Sequence, residues 1–324
     1  MRKFLWWTSG VSLAVILIAA ALLLRTLVFA GQFTEISPHF SGKCRTVTGV
    51  TGAGDMDVDN ARGTLYFSAY DRRAVLAGEA INGALYRLDL SDPEAEPIPL
   101  WRGEGEGDFR PHGVSLYRSG DGRQRLFVIN HPADGGQMIE VFDIRDGWLT
   151  HIESISDPLF VSPNAIIATG WRAFYLANDV MSQDAAMKML EMLLPLARSD
   201  VIYFDGEKAA IAAQGLSYVN GLALSQNGRQ LYVTEMTGKK LRTYERHLRT
   251  GALKLADTIR IDSFLDNVTV DADDRLWIGA HPRLTDYLQH GADPAISAPA
   301  QIFRVTPARK GPGRRTADIS KRLP

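Results

Sequence analysis

Five stretches of this sequence repeat one pattern, in which a polar residue opens an apolar strand and a turn leads to a second apolar strand. The opening residues lie 47 to 57 positions apart, and they are Asp55, His112, Asn164, Asn220 and Asn267. Repeats of roughly 40–50 residues are typical of four-stranded β-propeller blades. Unrelated hairpins in a β-sandwich are the alternative, but they would not keep a common period. The pattern therefore predicts an all-β propeller.

The repeat also predicts where polar side chains meet. The innermost strand of each propeller blade lines a central channel, so the five opening residues should converge at one end of it. Converging oxygen donors are what a hard cation such as calcium requires. The alternative is that Asn and Asp only mark the turn before each strand. Their use at aligned positions of the repeat, in spite of the low strand propensity of Asn, favours a binding site.

The N-terminus predicts a membrane anchor. Residues 4–24 carry no charge and follow Arg2 and Lys3, and a helix of that length is about 31 Å long, enough to cross a bilayer. The positive-inside rule places the remaining chain on the exported, periplasmic or extracellular side. The alternative is a signal peptide cleaved near residues 28–30, with secretion of the rest. We therefore expect a signal-anchor in 1–30, a propeller domain in 31–306 and a basic, disordered tail in 307–324.

Charge and cysteine content exclude other classes of function. The chain has 36 basic and 37 acidic side chains, for a net charge of −1, so it lacks the basic excess that a nucleic-acid partner requires. Its single cysteine, Cys44, cannot build a thiolate zinc site or an internal disulfide.

Seven segments carry a resemblance to a known family. They are 109–115 (FRPHGVS), 128–132 (VINHP), 163–164 (PN), 177–179 (AND), 219–221 (VNG), 265–271 (LDNVTVD) and 277–282 (WIGAHP). In these segments, and in their order, the chain resembles the paraoxonase/arylesterase family of six-bladed, calcium-dependent lactonases, and more distantly the gluconolactonases. The resemblance implies a six-bladed propeller over residues 40 to 306, preceded by the apolar helix.

The resemblance also implies a catalytic site. The ligands of the catalytic calcium would be Asn164, Asn220, Asp266 and Asn267. His112 and His131 would form a dyad that activates water, which suits imidazole because it exchanges protons near neutral pH. The calcium ion would polarise the carbonyl of a lactone or aryl ester as a Lewis acid. The implied partner is a small, lipophilic lactone or ester.

Two departures from the family pattern remove carboxylates. Gly54 stands where the family has a Glu that binds the catalytic calcium. A second, structural calcium would use Asp55 and the carbonyl of Val114, but Ala165 replaces its other carboxylate. Fewer carboxylates weaken calcium binding. Two alternatives follow: a propeller that has lost catalysis and serves as a membrane-anchored binding module, or a sugar-lactone hydrolase closer to the gluconolactonases.

Residues 180–197 are rich in Met and Leu and follow a capping sequence, Ser182-Gln183-Asp184. They predict an inserted amphipathic helix. It could pack against the propeller, or it could cover the site, touch the membrane and line a lipophilic pocket.

The C-terminal part departs from the family. The last eighteen residues carry six basic side chains and one acidic side chain, which is typical of a disordered tail. The family continues for two more strands and ends in a Cys that pairs with an N-terminal one, whereas Cys44 has no mate here. Truncation or a shifted reading frame would explain both features. An incomplete closing blade with exposed sheet edges would follow.

Overall fold

The repeat produces five antiparallel sheets, each of four strands that are consecutive in the sequence. The structure is a computed structural model that describes residues 2–37, 42–103, 109–307 and 318–322. Each sheet is one blade of a β-propeller, and the five predicted opening residues lie in the first strands of the five sheets. The all-β propeller expected from the repeat is thus confirmed.

The blades follow one another along the chain. Blade 1 contains β1 (Ala53–Asp59), β2 (Thr64–Ala69), β3 (Ala84–Asp89) and β4 (Ile98–Trp101). Blade 2 contains β5 (Pro111–Arg118), β6 (Gln124–Asn130), β7 (Met138–Arg145) and β8 (Trp148–Ile155). Blade 3 contains β9 (Pro163–Ala168), β10 (Phe174–Asn178), β11 (Ser199–Phe204) and β12 (Ala209–Leu216). Blade 4 contains β13 (Val219–Leu224), β14 (Gln230–Glu235), β15 (Lys240–Arg246) and β16 (Leu253–Arg260). Blade 5 contains β17 (Phe264–Val270), β18 (Leu276–His281), β19 (Gln301–Thr306) and β20 (Asp318–Arg322).

Apolar side chains bury the faces between successive blades. Between blades 2 and 3, for example, Phe127 and Ile129 pack with Ile166 and Phe174 in one buried cluster. Similar clusters join blades 1 and 2, 3 and 4, and 4 and 5. Burial of each such side chain contributes about 1.5–3 kcal/mol, so packing of one blade on the next holds the five inner strands side by side.

The expected number of six blades was wrong, because the described residues form five. A blade forms only where the sequence supplies its strands, and the repeat occurs five times. Within the described ranges no buried apolar cluster joins blade 5 to blade 1. The amide of Asn267 still donates to the Asp55 carboxylate at 2.8 Å, so β17 and β1 meet at one end of the channel.

The tail prediction also needs correction. Residues 318–322 form β20, which pairs with β19 in register from Ile302 with Arg322 to Thr306 with Asp318. Blade 5 therefore has four strands and is not the incomplete blade that we expected. Backbone hydrogen bonds to an open edge do not require apolar side chains, which is why composition alone predicted disorder. The rest of the predicted tail, apart from residue 307, lies outside the described residues.

Four helices lie outside the sheets in the described parts of the chain: α1 (Arg2–Phe29), α2 (Arg72–Leu76), α3 (Ala185–Leu193) and α4 (Leu284–Ala292). The predicted amphipathic helix is α3, capped by the Asp184 carboxylate, which accepts the N–H of Met187 at 2.9 Å. It is shorter than predicted because Leu194 is extended, as expected for a residue that precedes a proline. We did not predict α4, since Arg283 at its start gives no side-chain cap.

The end of α1 is attached to the propeller. The Phe29 ring meets Phe264 edge-on with centroids 5.6 Å apart, and Ala30 is buried beside them. Leu284 of α4 donates its N–H to the carbonyl of Ala30 at 2.9 Å. Gly31 has φ +73°, and a Cβ there would lie only 2.0 Å from the carbonyl oxygen of Pro282, so only glycine fits this close approach. Helix α1 is long and apolar enough to span a membrane, with Ser12–Phe29 as the candidate span, although signal sequences share these properties.

Candidate active site

His131 and Val114 line neighbouring cavities, and the other six predicted site residues surround one cavity at an end of the channel. The cavity has a volume of about 460 Å³, and its lining includes all five opening residues of the repeat together with Asp266. Each opening residue lies at or near the start of an innermost strand, and the blades arrange these starts around the channel. Volumes of this size are typical of small-molecule sites.

Three asparagines present their amide oxygens as free acceptors. The amide nitrogen of Asn164 donates to the Asp179 carboxylate at 3.0 Å, that of Asn220 to the sulfur of Met236 at 3.6 Å and that of Asn267 to Asp55 at 2.8 Å. No protein donor contacts the three Oδ1 atoms within the described residues. Because every nitrogen is held by a neighbour, each oxygen is left for another partner, and neutral amide oxygens are suitable ligands for calcium.

Carboxylates complete the oxygen-rich lining. Asp266 accepts the backbone N–H of Asn267 at 2.9 Å and contacts Nε2 of His281 at 2.8 Å. Burial raises the pKa of Asp55 to about 7, with smaller contributions from Asp57 and Asp266, so the protein alone does not fully balance negative charge here. Burial also raises the pKa of Asp179. A cation bound beside carboxylates whose pKa is raised by burial would stabilise their charged form.

The donor set fits a hard cation better than a transition metal. Among the described residues no three His, Cys, Asp or Glu side chains form a metal cluster, so the set depends on amides. Amide and carboxylate oxygens are the donors that calcium prefers. The predicted ligands Asn164, Asn220, Asp266 and Asn267 all line the cavity.

The predicted second calcium site has a different geometry. Asp55 accepts the backbone N–H of Val114 at 2.9 Å, so the protein itself occupies one carboxylate oxygen there. The two residues also line a neighbouring cavity of about 340 Å³ between the inner strands.

His112 and His131 form a direct pair. Nδ1 of His112 lies 3.2 Å from Nε2 of His131, whose Nδ1 contacts the amide oxygen of Gln137. The Gln137 amide nitrogen donates to the carbonyl of Gly135 at 3.2 Å, which orients the oxygen toward His131. An amide oxygen only accepts hydrogen bonds, so Nδ1 of His131 carries a proton and its Nε2 accepts one from His112. Nε2 of His112 is then an unprotonated acceptor.

Burial keeps this histidine pair neutral. Burial is the largest cause that lowers the pKa of His112 well below its usual 6.5, followed by the neighbouring charges of His131 and Arg72. Burial also lowers the pKa of His131, opposed by Gln137 and Asp179. Both rings are therefore neutral near neutral pH, each with one protonated nitrogen, and Nε2 of His112 can act as a base.

Sequence analysis missed several residues of this cavity: Arg72, Asp179, Tyr218 and Tyr287. Asp179 lies in one of the motif segments but was given no role. Burial raises the pKa of Tyr218 well above its usual value and that of Tyr287 to about 12, so both phenols remain hydrogen-bond donors. Arg72 and Tyr287 belong to short helices outside the repeat, where no periodic signal marks them.

Comparison with known proteins is consistent with this geometry. The family model described as Arylesterase matches residues 69–317. Serum paraoxonase/arylesterase 2 of Gallus gallus is 31% identical over 281 residues, covering 83% of this chain and 78% of its own. Serum paraoxonase/arylesterase 1 of Mus musculus is 29% identical over 258 residues, covering 77% and 72%.

Solved structures with a similar shape include a luciferin-regenerating enzyme, at 14% identity and a TM-score of 0.49, covering 79% of this chain and 73% of that one. A gluconolactonase of Xanthomonas campestris is 18% identical with a TM-score of 0.45, covering 72% and 73%. The family match extends over most of the propeller. The aligned regions also span more than two thirds of the length of each of these relatives. The chain therefore belongs to the arylesterase family and is an ester hydrolase.

Proposed function

We propose that this protein is a calcium-dependent hydrolase of lactones and aryl esters that works with water activated by His112. The observation that carries the proposal is the orientation of three asparagine amides around the cavity that also contains His112. A cavity made only for an organic substrate would not require three amide nitrogens to be held so that three oxygens remain free. A hard cation does require this.

Asn164, Asn220, Asp266 and Asn267 would hold the ion. When bound, it supplies Lewis acidity that polarises the carbonyl and stabilises the oxyanion. The missing family carboxylate at Gly54 leaves Asp266 as the one carboxylate of this set, so we expect weak calcium binding. A second, structural ion is not part of the proposal, because Asp55 is bonded to the N–H of Val114.

The histidine pair would move the proton. Nε2 of His112 takes a proton from water while the water oxygen adds to the carbonyl carbon, and the imidazolium then gives that proton to the leaving alkoxide or phenoxide as the acyl–oxygen bond breaks. His131 accepts the hydrogen bond from Nδ1 of His112 and stabilises the imidazolium. Gln137 fixes the tautomer of His131, so it acts as a positioning residue.

We also propose that the protein remains anchored, with its propeller on the exported side and its site near the membrane. Phe29, Ala30 and Gly31, at the end of α1, pack against the helix that carries Tyr287. Cleavage near residue 30 would break this packing, which favours the anchor over the secreted alternative. Met189 and Leu190 of α3 are 53% and 42% exposed and would contact lipid or a lipophilic substrate.

Hydrolysis assays test the proposed function. The full chain in detergent with millimolar calcium should hydrolyse a simple lactone and phenyl acetate. His112→Gln should lower kcat by about 10²- to 10⁴-fold, whereas His247→Gln, in an exposed turn, should not. Equal activity of the two variants would contradict the role of His112, and no hydrolysis by folded wild-type protein would contradict the function.

A further inference from the structure

The cavity contains a cation that has no anionic partner among the described residues. Arg72 lines the cavity beside Asp55, His112 and Tyr287. One end of its guanidinium donates to the carbonyl of Gly52 at 3.3 Å, and its Cζ atom lies over the Tyr70 ring, 4.5 Å from the centroid. None of the carboxylates in the described ranges forms an ion pair with it. A guanidinium has five N–H donors, and among the described residues only the contact with Gly52 uses one of them.

Gly54 leaves the space that the guanidinium occupies. A Cβ on Gly54 would lie 3.0 Å from Nη2 of Arg72 and 3.1 Å from Oγ of Ser68. A side chain at position 54 would require Nη2 of Arg72 to shift by a few tenths of an ångström. The absence of a side chain at Gly54 thus leaves room for the guanidinium in its present position.

The neighbouring Arg73 is bonded to a different helix. Arg73 follows Arg72 on α2 and lines the same cavity, but its Nη2 donates to the carbonyl of His290 at 2.5 Å. Arg73 thus connects α2 to α4, whereas the hydrogen bond of Arg72 stays within the chain beside it, at Gly52. The charge of Arg72 also contributes to the low pKa of both His112 and His131, so it lies close to the proposed base.

We propose that Arg72 binds a carboxylate group on the substrate, so that the enzyme prefers esters and lactones that carry such a group near the scissile bond. A planar guanidinium matches a carboxylate with two parallel hydrogen bonds. The cavity is large enough for a small acid. This inference rests on the proposed hydrolase function, and it concerns which substrate the site selects.

The test compares release of phenol from two esters, one with a free carboxylate and one in which that carboxylate is methylated. Phenyl hydrogen glutarate carries a free carboxylate, and methyl phenyl glutarate is its neutral counterpart. For the full chain in detergent we expect kcat/KM to be about 10- to 100-fold higher for the anion. Arg72→Gln should remove this ratio, and Arg249→Gln, at an exposed turn, should keep it.

A binding measurement separates failure of this inference from failure of the hydrolase proposal. By calorimetry, glutarate should bind the wild-type chain more tightly than glutaramide does, and Arg72→Gln should lose that preference. Hydrolysis of both esters at the same rate, or a ratio unchanged in Arg72→Gln, would overturn the role of Arg72 and leave the hydrolase standing. If neither ester is hydrolysed, the hydrolase proposal fails, and glutarate binding still decides whether Arg72 is an anion site.

Discussion

Nδ1 of His112 lies 3.2 Å from Nε2 of His131, and this contact determines which nitrogen can act as a base. Gln137 holds the other nitrogen of His131, so the only unprotonated nitrogen not already bonded in the pair is Nε2 of His112. The histidines come from opposite ends of neighbouring strands, at the start of β5 and just after β6, and the antiparallel pairing of those strands brings them together.

Loss of the Gln137 contact should affect turnover more than binding. Without its acceptor, Nδ1 of His131 no longer favours one tautomer, and the pair samples forms in which His112 is protonated at Nε2. We expect Gln137→Leu to lower kcat about tenfold or more with little change in KM. Steady-state kinetics with phenyl acetate measure this. A purely structural role for Gln137 would instead lower the thermal stability and leave the kcat of the folded protein unchanged.

Activity should persist below the usual pKa of histidine. The pKa of His112 is lowered well below 6.5, mainly by burial, so the neutral base survives as the pH falls through 6.5 and is lost only at lower pH. We predict that the acid limb of kcat/KM has its midpoint below pH 6.5. A pH profile of phenyl acetate hydrolysis checks the direction, and a midpoint at or above 6.5 would contradict a buried, neutral pair.

The parts of the fold that follow the repeat could be predicted from the sequence. Residues such as Asn164 and Asn220 open strands at a regular spacing. A regular spacing indicates propeller blades, because each blade is built from the same strand pattern. The number of blades came from the family resemblance instead, and it was wrong. Arg72 could not be predicted, because its place in the cavity depends on the backbone of a five-residue helix and on the space beside Gly54.

Removal of an asparagine oxygen should weaken calcium binding. Asn220 is buried and its amide nitrogen contacts Met236, so Asn220→Ala deletes one oxygen from the proposed set. We expect the Kd for calcium to rise at least about tenfold, as for other lost ligands. Calorimetric titration measures this, with Asn60→Ala, at an exposed turn, as the control. Equal affinities would remove Asn220 from the ligand set.

One buried ion pair should dominate the stability of blade 4. Glu235 is fully buried, accepts the N–H of Ser217 at 2.7 Å and pairs with Arg242. Glu235→Ala leaves Arg242 without its partner, and we expect a loss of about 3–5 kcal/mol in the free energy of unfolding. Glu153→Ala breaks the surface pair with Arg172 and should cost about 1 kcal/mol or less. Urea unfolding compares the two variants, and similar losses would contradict the prediction.

The most direct test of the account is a calcium titration of activity. Hydrolysis of phenyl acetate by the full chain is measured while free calcium is set with a chelator, and calcium binding is measured on the same preparation. The account predicts activity that disappears in excess chelator, returns when calcium is added back and follows the binding curve. Full activity in excess chelator, or calcium binding with no effect on hydrolysis, would contradict the claim that the converging asparagines hold the ion that this hydrolase uses.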